Sequence, residues 1–437
     1  MNAAVLLSPH AGRLTALDTA AALAMPGVLA VLRAADCPAL TDAPGHAGAP
    51  VAAVVAETAA AARAALAALA PVYDHRPPVV DPAAGRILST VQTSIVQTGQ
   101  PARADAVASV TAARRHLPDL TPPAALETAL ARAVGRPLHL SLPLAARLAA
   151  EPAGADRQAT IRLTAGPDGA VVAADLAARL NAGAVGDARA LAPTCLPGLP
   201  GVPLSARVDI VATDTPPTLL PAPGAACPAT AAALELALLA LARAQGRDPL
   251  DLRRQTLPDG PARACLESVA QHWQGPLNGA PLDDEGRLTL GAGFAVIAHP
   301  ATAVLAEVMA DRDTGHVSLT RLAVAVDAAP GPAGLLPAAV ARAHGYALRE
   351  EAALDPETGA VLAGGLADYR LAHAFSLPEV EAEWLGHAPA DPETVTAAAA
   401  AAILSALADA TGIAPGHLPM TADRVLSPIL SAPKPRE

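Results

Sequence analysis

Aromatic side chains are nearly missing from this chain: two Phe, two Trp and three Tyr stand among 437 residues. A core of that size has to be assembled from Ala, Leu and Val, and small side chains bury little area each, so helices and strands must approach closely. Lysine is scarcer still, with Lys434 the sole example, and the formal net charge is −11. That balance argues against nucleic acid or an anionic membrane as a partner. Cys37, Cys195, Cys227 and Cys265 are far apart, with no C-x-x-C. No iron–sulfur or structural zinc site is written there, and four reduced, buried thiols are expected. No basic segment precedes an apolar run near Met1, and the longest apolar run, at 229–242, carries Glu235 and is too short to span a bilayer. The expectation is a cytoplasmic protein.

What the chain does have is 44 prolines and 32 glycines, which cut it into short elements and favour mixed α and β structure over a helical bundle. Residues 302–371 organise the rest. A β-branched and aliphatic run at 302–309 is broken by Asp311-Arg312-Asp313-Thr314-Gly315, then resumes at 316–327. Within that second run the buried parity changes between Val317 and Leu319 on one side and Leu322, Val324 and Val326 on the other, which predicts a bulge or a strand buried on both faces. Leu335, Leu336, Ala339, Val340, Ala343 and Ala347 recur at helical spacing. The turn at Asp355-Pro356-Glu357-Thr358-Gly359 then predicts a second hairpin with a strand over 361–371.

Upstream, strands are predicted at 28–32 and 51–56, and an alanine-rich helix at 58–69 with Thr58 near its start. A helix at 126–137 and a strand at 138–142 follow, then a hairpin of 159–163 and 171–180 turning at Pro167-Asp168-Gly169. Downstream lie a strand at 377–385 and an alanine-rich helix at 397–410 stopped by Gly412. Gly291-Ala292-Gly293 lacks the third glycine of a dinucleotide fingerprint and reads as a bend between strands, leaving no flavin site. Asp311-x-Asp313-x-Gly315 has no downstream bidentate glutamate and reads as a turn rather than a calcium loop. The twelve histidines show no H-x-H or H-E-x-x-H spacing.

Several motifs occur together in a familiar order. They are Ser8-Pro9-His10, Ala34-Ala35-Asp36 and Pro50-Val51-Ala52-Ala53-Val54-Val55-Ala56-Glu57-Thr58; then His299-Pro300, Gly345-Tyr346-Ala347-Leu348 with Glu350-Glu351, Asp368-Tyr369-Arg370-Leu371 and Leu418-Pro419-Met420-Thr421. In this the chain resembles the molybdopterin-binding large subunit of the molybdenum hydroxylases, the xanthine dehydrogenase and aldehyde oxidase family. The resemblance implies an α+β fold: an α/β hammerhead domain over 1–85, a shortened first molybdopterin-binding-like lobe over 86–262 and a second lobe over 263–437. It also implies a helical stretch at 99–113, after which the residues at 118–123 themselves read as a proline-rich joint.

The same resemblance implies molybdenum held on molybdopterin, a glutamate base, glycine-rich loops around the pterin, and iron–sulfur and flavin partner subunits. The family's first glycine-rich loop has too little room within 86–125. Its substrate-loop arginine falls near Pro223, beside the matching Gly224 and Pro228. Its Gln-x-x-Gly-Gly segment falls on 335–344, which has neither. Asp391 stands at the base position, one methylene shorter than Glu, although an Asp at a helix entry is commonly a cap. The reading that follows is a scaffold that has lost cofactor-binding loops and serves as a non-catalytic or assembly partner, as a homo-oligomer or beside iron–sulfur, flavin or active molybdenum subunits. The alternatives are an active oxidoreductase hydroxylating an aldehyde or N-heterocycle with Asp391 as base, or a small-molecule-binding module in the vacated cleft.

Overall fold

The computed structural model describes residues 1–93, 104–113, 124–150, 154, 156–184, 199–217 and 226–431. Its first stretch is Asn2–Leu7 (β1), Gly12–Asp18 (β2), Ala20–Leu23 (α1), Val28–Leu32 (β3), Pro50–Ala56 (β4), Ala59–Ala67 (α2) and Ala70–His75 (β5). The Val/Ala run of β4 is buried almost throughout, as a strand covered on both faces requires. Thr58 starts α2 by accepting a hydrogen bond from Ala61 N at 3.1 Å. β3, β4 and β1 lie side by side and take the short parallel strand His139–Leu140 as a fourth member, while β2 and β5 form a separate ribbon.

Next come Arg86–Thr93 (β6), Ala104–Ala112 (β7), Ala124–Val134 (α3), His139–Leu140 (β8), Leu144–Ala150 (α4), Arg157–Ala165 (β9), Val171–Asn181 (β10) and Leu204–Ala212 (β11). β7 corrects the helix expected there. Ala106, Val110 and Ala112 are buried whereas Asp105, Val107 and Ser109 are exposed, a two-residue period that pairs β7 antiparallel with β9. The expected proline joint at 118–123 lies outside the described residues. β9 and β10 form the predicted hairpin, turning where Gly169 takes φ +83°.

The remaining elements are the helices Pro228–Gln245 (α5), Pro249–Gln255 (α6) and Pro261–Ala270 (α7), the strands Ala280–Pro281 (β12), Leu288–Ala298 (β13), Ala301–Asp311 (β14) and Val317–Val326 (β15), then Leu335–Leu348 (α8), Val380–Trp384 (β16), Pro392–Thr411 (α9), His417–Leu418 (β17) and Ala422–Ser431 (α10). One sheet runs β17-β7-β9-β10-β11-β6 and the other β12-β13-β14-β15-β16. Helix α5 lies on β7 and β9, α9 lies on β13 and β14, and the two helices pack on each other. The layers are thus sheet, helix, helix, sheet, with one continuous apolar core through all four. The outer face of the second sheet is covered by α7, where Trp273 meets Phe294 edge-on at 5.3 Å and donates to Asp248 Oδ2 at 3.2 Å.

Close approach is what the aromatic-poor composition demands, and α9 achieves it. Its hexa-alanine 397–402 is fully buried. Gly291 and Gly293, expected at a bend, sit inside β13 beneath this helix. A Cβ on Gly291 would lie 2.2 Å from Ala406 O, and one on Gly293 would lie 2.3 Å from Ala406 N. The glycine pair is therefore a contact seam rather than a break in the strand. Asp409 of α9 fastens it, accepting at Oδ2 from Leu277 N at 2.8 Å and from Ala292 N at 3.0 Å. Beside it, buried Glu235 accepts from Val296 N at 2.9 Å and pairs with fully buried Arg253 at 3.2 Å. Burial pushes the Glu235 carboxyl up, against the opposing pull of Arg253.

The bulge predicted in the organising hairpin lies at Thr320: Glu307 faces Arg321 and Val308 faces Leu319, leaving Thr320 without an opposite residue. The second hairpin is a correction. Only a single bridge, Leu354 to Val361, forms there, and 361–371 is irregular. Gly364 and Gly365 interrupt the run, and buried Tyr369 holds it to the end of α8 by donating to Glu350 Oε2 at 2.8 Å.

Candidate functional site

Asp391 is the N-cap of α9. Its Oδ1 accepts from Glu393 N at 3.1 Å, and its Oδ2 accepts from Thr394 N at 3.3 Å and Thr394 Oγ1 at 2.6 Å. The sequence Asp-Pro-Glu-Thr dictates this locally. Asp in extended conformation offers its carboxylate to the unpaired N–H groups of the first turn, and proline fits the first helical position because it has no N–H to satisfy. The carboxylate is turned toward its own helix.

The segment 335–344, aligned with the family's pterin-contacting loop, is the body of α8. Leu336, Ala339, Val340 and Ala343 are buried, and α8 packs along α9. Thr396 Oγ1 donates to Ala339 O at 3.2 Å, and Arg342 pairs with Glu393 at 3.1 Å. In such a helix backbone N–H groups bond within the helix, as Ala338 N does to Gly334 O at 3.0 Å, which leaves no extended run of free amides to cradle a pterin. The described residues around Asp391 therefore do not fit a molybdopterin at this position. Pro228 is buried at the start of α5. Pro223 and Gly224 lie outside the described residues, as do 94–103 and 114–123, the stretches flanking β7. Among the described residues no three His, Cys, Asp or Glu side chains converge as a metal site.

Two recesses flank α8. One of about 600 Å³ at its N-terminal end is lined by Leu336, Pro337, Leu377, Val380 and Trp384. The other, of about 310 Å³, is lined by His316, His344, Arg349, Arg370 and His373 with Ser318, Ser376 and Thr421. His344 is 3% exposed, its Nδ1 has no hydrogen-bond partner, and Arg349 Nε is likewise buried without one. Burial, reinforced by Arg349, His373 and His316, pushes the His344 imidazole down to about 4. Sequence reasoning missed this cluster because its members are scattered over 316–373 with no ligand spacing; only the fold of 361–376 onto α8 and β15 unites them.

Residues 119–257 match the family described as molybdopterin cofactor-binding domain. Over 206 residues the chain is 30% identical to a subunit of nicotinate dehydrogenase from Pseudomonas putida, a match covering 42% of this chain and 17% of that protein. The chain thus matches less than a fifth of that relative's length. In three dimensions it is similar to quinoline 2-oxidoreductase from Pseudomonas putida 86, with TM-score 0.86 and 14% identity over 99% of this chain and 94% of that one. It is also similar to aldehyde oxidoreductase from Desulfovibrio gigas, with TM-score 0.84 and 16% identity over 99% and 77%. At such identities the structural likeness speaks to fold.

Proposed function

We propose that the chain is a homologue of the molybdopterin-binding subunits of the xanthine dehydrogenase and aldehyde oxidase family and serves as a non-catalytic or assembly partner, keeping the subunit framework without a working cofactor site. The observation that carries this reading is the state of the two elements that would meet a cofactor. The Asp391 carboxylate is taken up by the first turn of α9, and a closed helix, α8, stands where a pterin-contacting loop would be. A general base has to be aimed at the proton it removes; here the carboxylate is turned to its own helix, accepting three hydrogen bonds from the first turn. The relative being one subunit of a dehydrogenase supports a role beside protein partners, in the cytoplasm, where the buried thiols of Cys37, Cys227 and Cys265 would stay reduced.

The deciding measurement is molybdenum content of the full chain purified from a host that makes molybdopterin. We expect far less than one molybdenum per chain. One per chain would overturn the reading and favour an active oxidoreductase, in which Asp391→Ala would abolish hydroxylation of an aldehyde or N-heterocycle. A second reading, a small-molecule-binding module, is favoured by the apolar recess at the N-terminal end of α8. Saturable binding of an apolar heterocycle that Leu336→Trp blocks would support it.

A further inference from the structure

The 310 Å³ cleft at the C-terminal end of α8 carries positive charge with nothing to balance it. Two arginines and three histidines line it, and no Asp or Glu does, in a chain whose net charge is −11. Among the described residues neither Arg349 nor Arg370 pairs with a carboxylate. The neighbouring glutamates are engaged elsewhere, Glu351 with Arg424 at 2.9 Å and Glu350 with Tyr369 at 2.8 Å, while Asp423 bonds Thr421 at the edge of the cleft. His344 Nδ1 and Arg349 Nε are buried there without a partner, while Arg370, His316 and His373 are exposed along the rim; unpaired buried polar atoms cost free energy, and an anion from outside would satisfy them. None of residues 388–394 lines it, so it is separate from the Asp391 cap.

We propose that this cleft binds the phosphate group of a small molecule, held by Arg349 and Arg370 with His316, His344 and His373 around it. A phosphate suits the site better than a carboxylate. Its three oxygens and two charges can engage both guanidinium groups at once, whereas one bidentate arginine already satisfies a carboxylate. Arg349 reaches in from the end of α8, Arg370 and His373 come from the irregular segment after Gly365, and Thr421 sits at the entry to α10. His344 closes the inner side as a neutral donor. An anion beside it would raise its affinity for a proton.

The test is calorimetric titration of the full chain with inorganic phosphate, a nucleoside monophosphate and acetate. Phosphate should bind saturably, with affinity falling by roughly tenfold or more in Arg349→Gln/Arg370→Gln and unchanged in Arg63→Gln on α2. Acetate binding as well as phosphate, or no phosphate binding at about 10 mM, would overturn the assignment. Equal affinity in the double variant would do the same. A nucleoside monophosphate binding tighter than inorganic phosphate would identify an organic ligand, and equal binding would identify free phosphate; both support the site. Should the double variant fail to fold, NMR titration of the His344 ring in the wild type decides. Phosphate should raise its midpoint, and an unmoved midpoint refutes the proposal. The outcome is independent of molybdenum content.

Discussion

At the scale of single residues, Asp391 can be separated into a cap and a base by two substitutions. Asp391→Ala removes every acceptor for the first turn of α9 and should lower stability by about 1 kcal/mol in urea unfolding. Asp391→Asn keeps an acceptor and should recover most of that loss, although it cannot act as a base. Capping was legible in the sequence, because Asp-Pro-Glu ahead of an alanine run is a helix start in its own right. His344 was not legible: its lone-histidine context on an apolar helix face gave no hint of Arg349, His316 and His373 gathering around it. Its depressed affinity for protons has a stability consequence with a definite sign. The unfolded imidazole takes up a proton near pH 6.5 and the folded one only near 4, so the unfolded state binds more protons in between. Stability is full above pH 6.5 and falls as pH drops toward 4, by up to about 3 kcal/mol. Melting curves across that range should show the loss, and His344→Gln should flatten it.

Among elements, the seam between β13 and α9 shows how composition was turned into architecture. With so few aromatic rings, tight contact has to come from small residues on both sides, here Gly291 and Gly293 against an alanine helix. Gly293→Ala would drive a methyl group into the backbone at Ala406 and should cost about 3 kcal/mol, read by chemical denaturation. Substituting Ala295, whose face already bears a Cβ, with Gly should cost less. The alanine helix and its Gly412 stop were plain from the sequence, as was the Thr320 bulge from the shift in buried parity. The strand β13 was not, since glycine pairs ordinarily mark a bend and only the partner helix explains them. Residues 104–112 went astray for the opposite reason: the two-residue period was present, and family likeness outweighed it. Residues 361–371 alternate too weakly around Gly364 and Gly365 to pair as a strand.

For the molecule as a whole, the α+β class and the order of motifs could be read from the chain, but the joining of its parts could not. Nothing local says that α5 and α9 would sit back to back between two sheets, or that a strand from 139–140 would complete the sheet begun at Asn2. Those arrangements depend on contacts between residues more than a hundred positions apart. The molybdenum assay belongs to this scale, because it asks whether a framework shared with hydroxylase subunits still assembles a centre when α8 and α9 close against each other. The two indoles give the molecule an unplanned asymmetry. Trp273 lies between α7 and β13 and Trp384 on β16, so both tryptophan emitters report on the five-stranded layer. The sheet around β1 and the β2–β5 ribbon contain no tryptophan, and their opening would be silent to that fluorescence while visible to circular dichroism.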